Sequence, residues 1–231
     1  MIGAVTGGRK HHLSLAELET LVSEASARGV TVMRDGDARG VDQTVGLYLK
    51  ARGLFKRDKW PADWDTHGKS AGAIRNRAML AGDPPDLVGH TTRPRADVLF
   101  AFAGGRGTAD CQRAAAAMDI PIVRIHPVAE PRVWNRHHGD APGPSVYVGR
   151  GTPLGNPFRL GQSPPSEILD KYRRWLWSRL NPACPDYDRA AEQAIDSLGA
   201  EASLVCSCWP SPCHAEVIVR AWRYRKKARA A

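Results

Sequence analysis

The sequence predicts an α/β protein with a mostly parallel sheet in its first part and a smaller α+β domain in its second part. In residues 1–125, short apolar runs alternate with stretches of helical periodicity, which is typical of parallel sheets with right-handed crossovers. Glycine-rich turns follow several of the apolar runs. A proline-rich stretch at residues 126–145 then marks a change of pattern, so we expect one domain at residues 1–127 and a second at 132–231.

The elements of the first domain follow from apolar runs and helix-start signals. Ser14 and Glu17 form a capping box ahead of a helix that ends before Gly29. The polar, proline-rich residues 82–96 are expected to form an exposed loop. We predict strands at residues 2–5, 30–33, 54–59, 98–101 and 120–125, with helices at 15–28, 41–51, 70–81 and 110–118; the second domain adds helices at 166–180 and 213–222.

Composition excludes several classes of protein. The chain has 231 residues, 42% hydrophobic and 25% charged, as in ordinary globular proteins. No apolar run approaches the roughly 18–20 residues of a membrane span, and the first residues show no secretory signal pattern. Five cysteines, an odd number, do not indicate a disulfide framework. We therefore expect a cytoplasmic protein with no membrane partner.

The charge is concentrated at the end of the chain. The net charge is +9, and residues 220–231 contain six basic residues and no acidic one. Such a tail can bind nucleic acid. The alternative, which we favour, is a solvated helix end that keeps the protein soluble. Homo-oligomerisation stays open, because no residue pattern addresses it.

Three short strings carry the chemistry of the first domain: GDARGVD at residues 36–42, RNRAML at 75–80 and AGGRGTAD at 103–110. A glycine turn between a strand and a helix lets the backbone approach a phosphate, which the helix N–H groups then bind. Neither GxGxxG nor the P-loop pattern is present. The candidate ligand-binding residues are the turn glycines and their polar neighbours: Gly7, Gly8, Arg9, Gly36, Arg39, Gly40, Gly104, Gly105, Gly107 and Thr108.

The RNRAML string adds positive charge at a predicted helix start, where a cation does not favour the helix dipole. A bidentate contact with phosphate would explain Arg75. The alternative for Arg75 and Arg77 is exposure to solvent or an ion pair with Asp63 or Asp65. Asn76, between the two arginines, is a further ligand-binding candidate.

These strings resemble known motifs. GDARGVD and RNRAML resemble the paired motifs of DprA, and AGGRGTAD resembles the PGGxGT motif of the Lonely Guy phosphoribohydrolases; both belong to the SLOG superfamily. The ordered set TGGR, GDARGVD, PADW, GKSAGAIRNRAM and GGRGTAD is most similar to the YspA (CpYpsA-related) branch, over residues 1–125. The resemblance implies a Rossmann-like fold and a nucleotide-derived ligand, such as ADP-ribose or a nucleoside monophosphate.

The resemblance also bears on catalysis. In Lonely Guy enzymes, an arginine four residues before a methionine and a glutamate three residues after the PGGxGT threonine act on a nucleotide. Arg75 matches the arginine, but Cys111 occupies the glutamate position and cannot replace a carboxylate at an oxocarbenium-like centre. Asp110 is expected to point about 100° away on the helix, and Asp42 is another candidate carboxylate. Ligand sensing is therefore favoured.

Two alternatives to sensing remain. The first is a nucleotide N-glycosidase or transferase in which Arg75 and Asp42 are catalytic. The second is DprA-like binding of single-stranded DNA, for which Trp60 and Trp64 could stack on bases. Because the first domain has only a modest positive charge, we favour binding of a small ligand over binding of DNA.

A dense cluster of Cys206, Cys208, Cys213 and His214 marks the second domain. Zinc accepts these donors, although CxxC pairs are absent and adjacent Cys213 and His214 are awkward ligands. Alternatively, Cys213 is a nucleophile whose pKa is lowered at a helix N-terminus, with His214 or His137 as its base. The third interpretation is buried structural thiols beside Trp209.

The glycine string VGRGTPLGNPF at residues 148–158 suits an anionic ligand, or is an ordinary loop. Together with VWNRHHGD and CSCWPSPCH it resembles a family of small domains of unknown function (domain of unknown function 4326) found in phage and bacterial proteins, over residues 132–222. The resemblance implies no activity. It marks the candidate site residues Asn135, Arg136, Arg150, Asn156, Cys208, Cys213 and His214.

Overall fold

The computed structural model describes residues 1–83, 93–159, 161 and 163–230. The chain forms two units, Met1–Val128 and Ala129–Ala231, hereafter unit 1 and unit 2. Most of the loop predicted at residues 82–96 lies outside the described residues. Among the described residues, no helix combines the length and the apolar character that a membrane crossing requires.

Unit 1 alternates strands and helices. The strands are β1 Ile2–Thr6, β2 Val32–Asp35, β3 Lys56–Lys59, β4 Val98–Ala101 and β5 Ile122–Arg124; the helices are α1 Leu15–Ala27, α2 Val41–Ala51, α3 Trp64–His67, α4 Ala71–Ala81 and α5 Arg106–Ala117, with a 3₁₀ turn at Gly68–Ser70. The capping box before α1 is confirmed, because Ser14 Oγ accepts the Glu17 N–H at 3.2 Å and a Glu17 carboxylate oxygen accepts the Ser14 N–H at 2.9 Å.

The five strands form one parallel sheet in the order β3-β2-β1-β4-β5. This confirms the predicted Rossmann-like α/β fold. From β1 the chain first moves outward to β2 and β3, then returns to β4 on the other side of β1. The strand order therefore reverses between β1 and β4, and ligands of such sheets bind beside this point, at the carboxyl ends of the strands.

Helix α5 differs from its prediction. It begins at Arg106, four residues before the expected Asp110, with Gly105 as its N-cap. Gly107 and Thr108 therefore belong to its first turn and not to the preceding loop. The predicted start was too late because glycine is a poor helix former, so Gly107 was assigned to the preceding turn.

Buried ion pairs tie β2 to its neighbours. The Arg34 side chain donates to the Asp58 carboxylate at 3.1 Å and to the Met79 carbonyl at 2.9 Å, although Arg34 is only 1% exposed. The Arg57 guanidinium donates to both Asp35 carboxylate oxygens, at 2.6 and 2.8 Å. These bonds join β2, β3 and α4, so they help to position α4 beside the sheet.

Unit 2 contains a second, smaller parallel sheet in the order β6-β8-β7. Its core includes Tyr172, Leu176, Leu204 and Ile218, which are fully buried. The last helix extends well past its predicted end at residue 222. The elements are β6 Arg132–Asn135, β7 Ser145–Tyr147, α6 Pro165–Leu180, α7 Arg189–Asp196, β8 Ser203–Cys206 and α8 His214–Ala230.

Candidate functional site

A cleft of about 640 Å³ opens where the loops after β1, β2 and β4 meet. An adjoining cavity of about 380 Å³ is lined by Gly36 and Arg39 and shares Arg9, Trp64 and Arg75 with the cleft. The structure thus brings together residues from all three strings singled out in the sequence. The predicted residues that line the cleft are Gly7, Gly8, Arg9, Asp42, Arg75, Asn76, Gly105, Gly107 and Thr108.

Two of the predicted glycines, Gly40 and Gly104, do not line the cleft but let its loops pack closely. Gly40 has a φ of +86°, and a Cβ there would lie 2.4 Å from the Gly8 carbonyl oxygen. A Cβ on Gly104 would lie 2.1 Å from Thr108 Oγ1. The Gly8 N–H also donates to the Ala103 carbonyl at 2.8 Å, which joins the β1 and β4 loops directly.

Arg75 forms part of the cleft wall. Its Nη1 lies 3.5 Å from the Asp42 carboxylate and 3.4 Å from the Trp60 carbonyl. Its Nε is buried and has no hydrogen-bond partner among the residues that the structure describes. The ion-pair partner is thus Asp42 and not Asp63 or Asp65. The guanidinium therefore has hydrogen-bonding capacity that its described protein neighbours do not use.

Asp42 is the buried carboxylate of the cleft. It accepts the Gly36 N–H at 3.2 Å and is 5% exposed. Burial raises its pKa to about 6, with a further increase from Asp35 and an opposing decrease from Arg75. A carboxyl group that titrates near neutrality inside a cleft can exchange protons with a bound ligand.

The first turns of α5 place Asp110, and not Cys111, in the cleft. Cys111 is fully buried in an apolar cluster with Ala114 and Ala115, and burial raises its pKa to about 11. Asn76 Nδ2 lies 3.4 Å from the Asp110 carboxylate. Our expectation that Asp110 points away from the site was wrong, because α5 packs its Cys111 face against the core.

The N-terminus of α5 opens into the cleft. Its N-cap is Gly105, which has no side chain to accept the free N–H groups, and its first turn contains no acidic residue. The first N–H groups of a helix are unsatisfied within the helix and carry its positive dipole end. This arrangement attracts an anion.

Several cleft residues were not predicted for the nucleotide site from the sequence, and Trp64 was considered only for stacking on DNA bases. Trp64 is 48% exposed, and the Arg9 guanidinium lies 5.3 Å from its ring centroid. The PADW string contained Trp64, but its position at the cleft depends on the short helix α3. Basic side chains outnumber acidic ones in the lining, where Arg9, Lys69, Arg75, Arg106 and Arg113 face Asp42 and Asp110.

Unit 2 brings the three cysteines of its cluster together. The Sγ atoms of Cys206, Cys208 and Cys213 all lie within 4.8 Å of one another. Cys206 and Cys213 are buried, with their sulfurs 3.0 Å apart, whereas Cys208 lies at the surface. Cys206 ends β8 and Cys213 directly precedes α8, so the cluster joins a strand end to a helix start.

His214 completes this cluster. Its Nε2 lies 2.7 Å from the Val148 carbonyl, which can only accept, so Nε2 carries a proton. The other ring nitrogen, Nδ1, then has a free lone pair in a neutral ring, and it lies 3.8 Å from Cys208 Sγ and 3.9 Å from Cys213 Sγ. Tyr172 packs edge-on against the imidazole at 5.5 Å between ring centroids.

The surroundings of Cys213 do not favour the interpretation of this residue as a nucleophile. Hydrogen bonds from Cys206 and Cys208, together with burial, raise the pKa of Cys213 well above its usual range. Hydrogen bonds with Cys206 and Cys213 lower the pKa of Cys208. Cys213 is also only 1% exposed, so a substrate cannot reach it. His137, the alternative base, lies exposed after β6.

Three of the remaining candidate residues of unit 2 form hydrogen bonds with the backbone of its loops. Asn135 Nδ2 donates to the carbonyls of Ser207 and Trp209, in the cysteine-bearing loop. Arg150 donates to the carbonyls of Asn156 and Phe158, at 3.4 and 3.1 Å, within its own glycine loop. Asn156 Oδ1 accepts the Phe158 N–H at 2.9 Å, and Arg136 is exposed beyond β6.

The basic tail is largely engaged within unit 2. Arg225 donates to both carboxylate oxygens of Asp196 and to Glu192, each at 2.7 Å. Arg229 pairs with the same Asp196, and Arg223 pairs with Glu130. These pairs join α8 to α7 and to the start of the unit, so the tail is an ordered helix face.

The fold and its sites define a two-unit α/β protein, with a basic cleft in a Rossmann-like unit and a Cys/His cluster in a smaller unit. Residues 133–223 match the family model described as Domain of unknown function (DUF4326). The chain is 32% identical over 129 residues to the Gene 61 protein of Mycobacterium phage D29. The matched region covers 52% of this chain and 93% of the phage protein. The chain belongs to the same family as that phage protein. No solved structure matches it.

Proposed function

We propose that the cleft of unit 1 binds a phosphate-bearing nucleotide or nucleotide-derived ligand and acts as a sensor or processing module. The observation that carries this proposal is the N-terminus of α5, which has no side-chain cap and opens into a cleft whose charged side chains are mostly basic. Unsatisfied N–H groups, a positive dipole end and nearby cations together favour a phosphate.

The phosphate is expected at the Gly105–Thr108 turn. A Cβ on Gly105 or on Gly107 would meet no atom of the described residues within 4 Å, so packing among these residues does not require either glycine. Space left open at these two positions is what close backbone contact with a phosphate needs. Arg75, which lies on α4 and lines the same cleft, supplies a positive charge.

The rest of the ligand is expected to extend toward Trp64. This ring is half-exposed and lines both the cleft and the adjoining cavity. An indole with one open face is a stacking surface for a nucleobase. The resemblance of residues 1–125 to the SLOG superfamily, YspA branch, supports the same class of ligand, since its motif residues converge on this cleft.

A nucleotide N-glycosidase or transferase is the second candidate function. It is favoured by Asp42, whose pKa is raised by burial to about 6 beside Arg75 in the cleft. Asp110 is a second carboxylate in the same lining. Glycosidic cleavage uses a pair of carboxylates for proton transfer and for stabilising the cationic centre, so turnover must be measured together with binding.

The test uses the full chain in calorimetric titrations with nucleoside monophosphates, NAD, ADP-ribose, ribose 5-phosphate and inorganic phosphate. Chromatography of each mixture then detects released base. Binding without base release supports the sensor, and base release supports the enzyme. Substitution Gly105→Ala should weaken binding by about tenfold, because its Cβ occupies the phosphate position, while the unfolding temperature falls only slightly, since alanine is a poorer N-cap than glycine.

Gly199→Ala in unit 2 is the matched control, because its Cβ also meets no atom within 4 Å. Equal ligand affinity of the Gly105→Ala and wild-type chains would refute the phosphate position. The failure of all these ligands to bind, combined with salt-sensitive binding of single-stranded DNA, would replace the proposal with the DprA-like alternative.

A further inference from the structure

We infer that unit 2 binds one zinc ion through the sulfurs of Cys206, Cys208 and Cys213 and through Nδ1 of His214. All four donor residues belong to unit 2. Its four donors come from the end of β8, the following loop and the start of α8. Zinc in structural sites takes four such donors in a tetrahedron.

The separations of His214 Nδ1 from two of the sulfurs match the edges of such a tetrahedron. With Zn–S bonds of about 2.3 Å, the edges of a tetrahedral site are about 3.8 Å long. His214 Nδ1 lies 3.8 Å from Cys208 Sγ and 3.9 Å from Cys213 Sγ. The three sulfurs lie within 4.8 Å of one another, with the Cys206–Cys213 pair at 3.0 Å, so binding of zinc would move these two sulfurs apart by roughly 0.8 Å.

The orientation of His214 is the second, independent observation. Metal-ligating histidines usually donate their other ring N–H to a carbonyl or carboxylate, which sets the tautomer and aims the free nitrogen at the metal. Here Nε2 donates to the Val148 carbonyl at 2.7 Å, and Nδ1 faces the thiols. The Tyr172 ring, packed against the imidazole, limits its rotation.

The adjacency of Cys213 and His214 in the sequence is compatible with one ion. Cys213 precedes the first residue of α8, and its sulfur accepts the Ala215 N–H at 3.4 Å. The two side chains therefore leave the helix start toward the same point, where their donor atoms lie 3.9 Å apart. Spacing along the chain made them appear awkward, but the turn into α8 brings them together.

A zinc ion here would be structural. Four protein donors leave no open position for a substrate or water. The ion would join β8 to α8, and through the His214–Val148 hydrogen bond it would also support the start of the Gly149–Phe158 loop. Binding requires the thiols to ionise, so it releases protons and becomes stronger as the pH rises.

The decisive measurement is the metal content of the full chain purified under reducing conditions without chelator. We expect about one zinc per chain by elemental analysis, and a lower unfolding temperature after chelation. Cys208→Ser should reduce the zinc content at least tenfold. Cys184→Ser is the matched control, because Cys184 lies in the same unit but outside the cluster, and it should retain the metal.

Cobalt titration of the metal-free wild-type chain provides a test that needs no variant, in case Cys208→Ser does not fold. Intense visible absorption of tetrahedral cobalt–thiolate would support the site. A normally folded chain without metal, whose unfolding temperature is unaffected by chelator or added zinc, would overturn the inference. A Cys206–Cys213 disulfide in freshly purified protein would overturn it as well, since it removes two of the ligands.

Discussion

The guanidinium of Arg75 lies over Gly36, so closely that a Cβ on Gly36 would be 0.8 Å from Arg75 Nη1. Two residues far apart in the chain thus share one small space at the cleft wall. The missing side chain of Gly36 lets Arg75 reach the Asp42 carboxylate at 3.5 Å. GDARGVD and RNRAML, which resemble paired motifs, are therefore coupled by direct contact.

This contact predicts the effect of Gly36→Ala. The new methyl group would displace the end of Arg75 from the buried Asp42 carboxylate, so the unfolding temperature should also fall. If Arg75 contacts the phosphate of the ligand, its displacement should weaken nucleotide binding by about tenfold in calorimetric titrations. Affinity equal to that of the wild-type chain would show that the position of Arg75 does not matter for the ligand.

Asp42 predicts a pH dependence of stability. Burial raises its pKa to about 6 from 3.8, so the folded chain holds this proton more tightly than the unfolded chain. The resulting stabilisation is complete below about pH 4 and is lost as the pH rises through about 6; it amounts to at most about 3 kcal/mol. Asp42→Asn cannot titrate and should therefore lack this loss.

Thermal unfolding of both chains between pH 4 and pH 8 measures the effect of Asp42. The advantage of the wild-type chain over Asp42→Asn should shrink as the pH increases. Asp65→Asn, at an exposed position in α3, is the control and should follow the wild-type profile. Parallel profiles for wild type and Asp42→Asn would contradict a raised pKa at this carboxyl group.

Trp64 predicts a difference between ligands. If its ring stacks on a nucleobase, Trp64→Ala should weaken the binding of a nucleoside monophosphate by about tenfold or more. Ribose 5-phosphate, which has no base, should lose little affinity, and Trp64→Phe should retain most of the nucleotide affinity. Equal losses for both ligands would assign Trp64 to shaping the cleft, where it also lies against Arg9.

Substitutions on α8, beginning with Arg225, test whether the basic end of the chain is structural or binds nucleic acid. The bidentate pair of Arg225 with Asp196 and its contact with Glu192 are mostly shielded from solvent, so Arg225→Gln should destabilise unit 2 by about 1–2 kcal/mol in denaturant unfolding. Lys227→Gln removes the same charge from an exposed position on α8 and should be nearly neutral. A large loss of single-stranded DNA binding in Lys227→Gln, without loss of stability, would favour the nucleic-acid interpretation.

Local patterns in the sequence were sufficient for the architecture of unit 1. The alternation of apolar runs and helical stretches predicted the parallel sheet, and Ser14 and Glu17 predicted the start of α1. These features depend on residues close together in the chain, because hydrogen bonds of helices, caps and turns are local. The cysteine cluster was visible for the same reason, since its members lie within nine residues.

Only the tertiary structure decided which side chains face the cleft. The sequence placed Cys111 at the site and turned Asp110 away, whereas packing of α5 on the sheet buries Cys111 and exposes Asp110. It likewise gave no reason to pair Arg75 with Gly36, or His214 with the Val148 carbonyl. Burial and hydrogen bonding between distant segments depend on strand order and helix packing, and a local pattern contains neither.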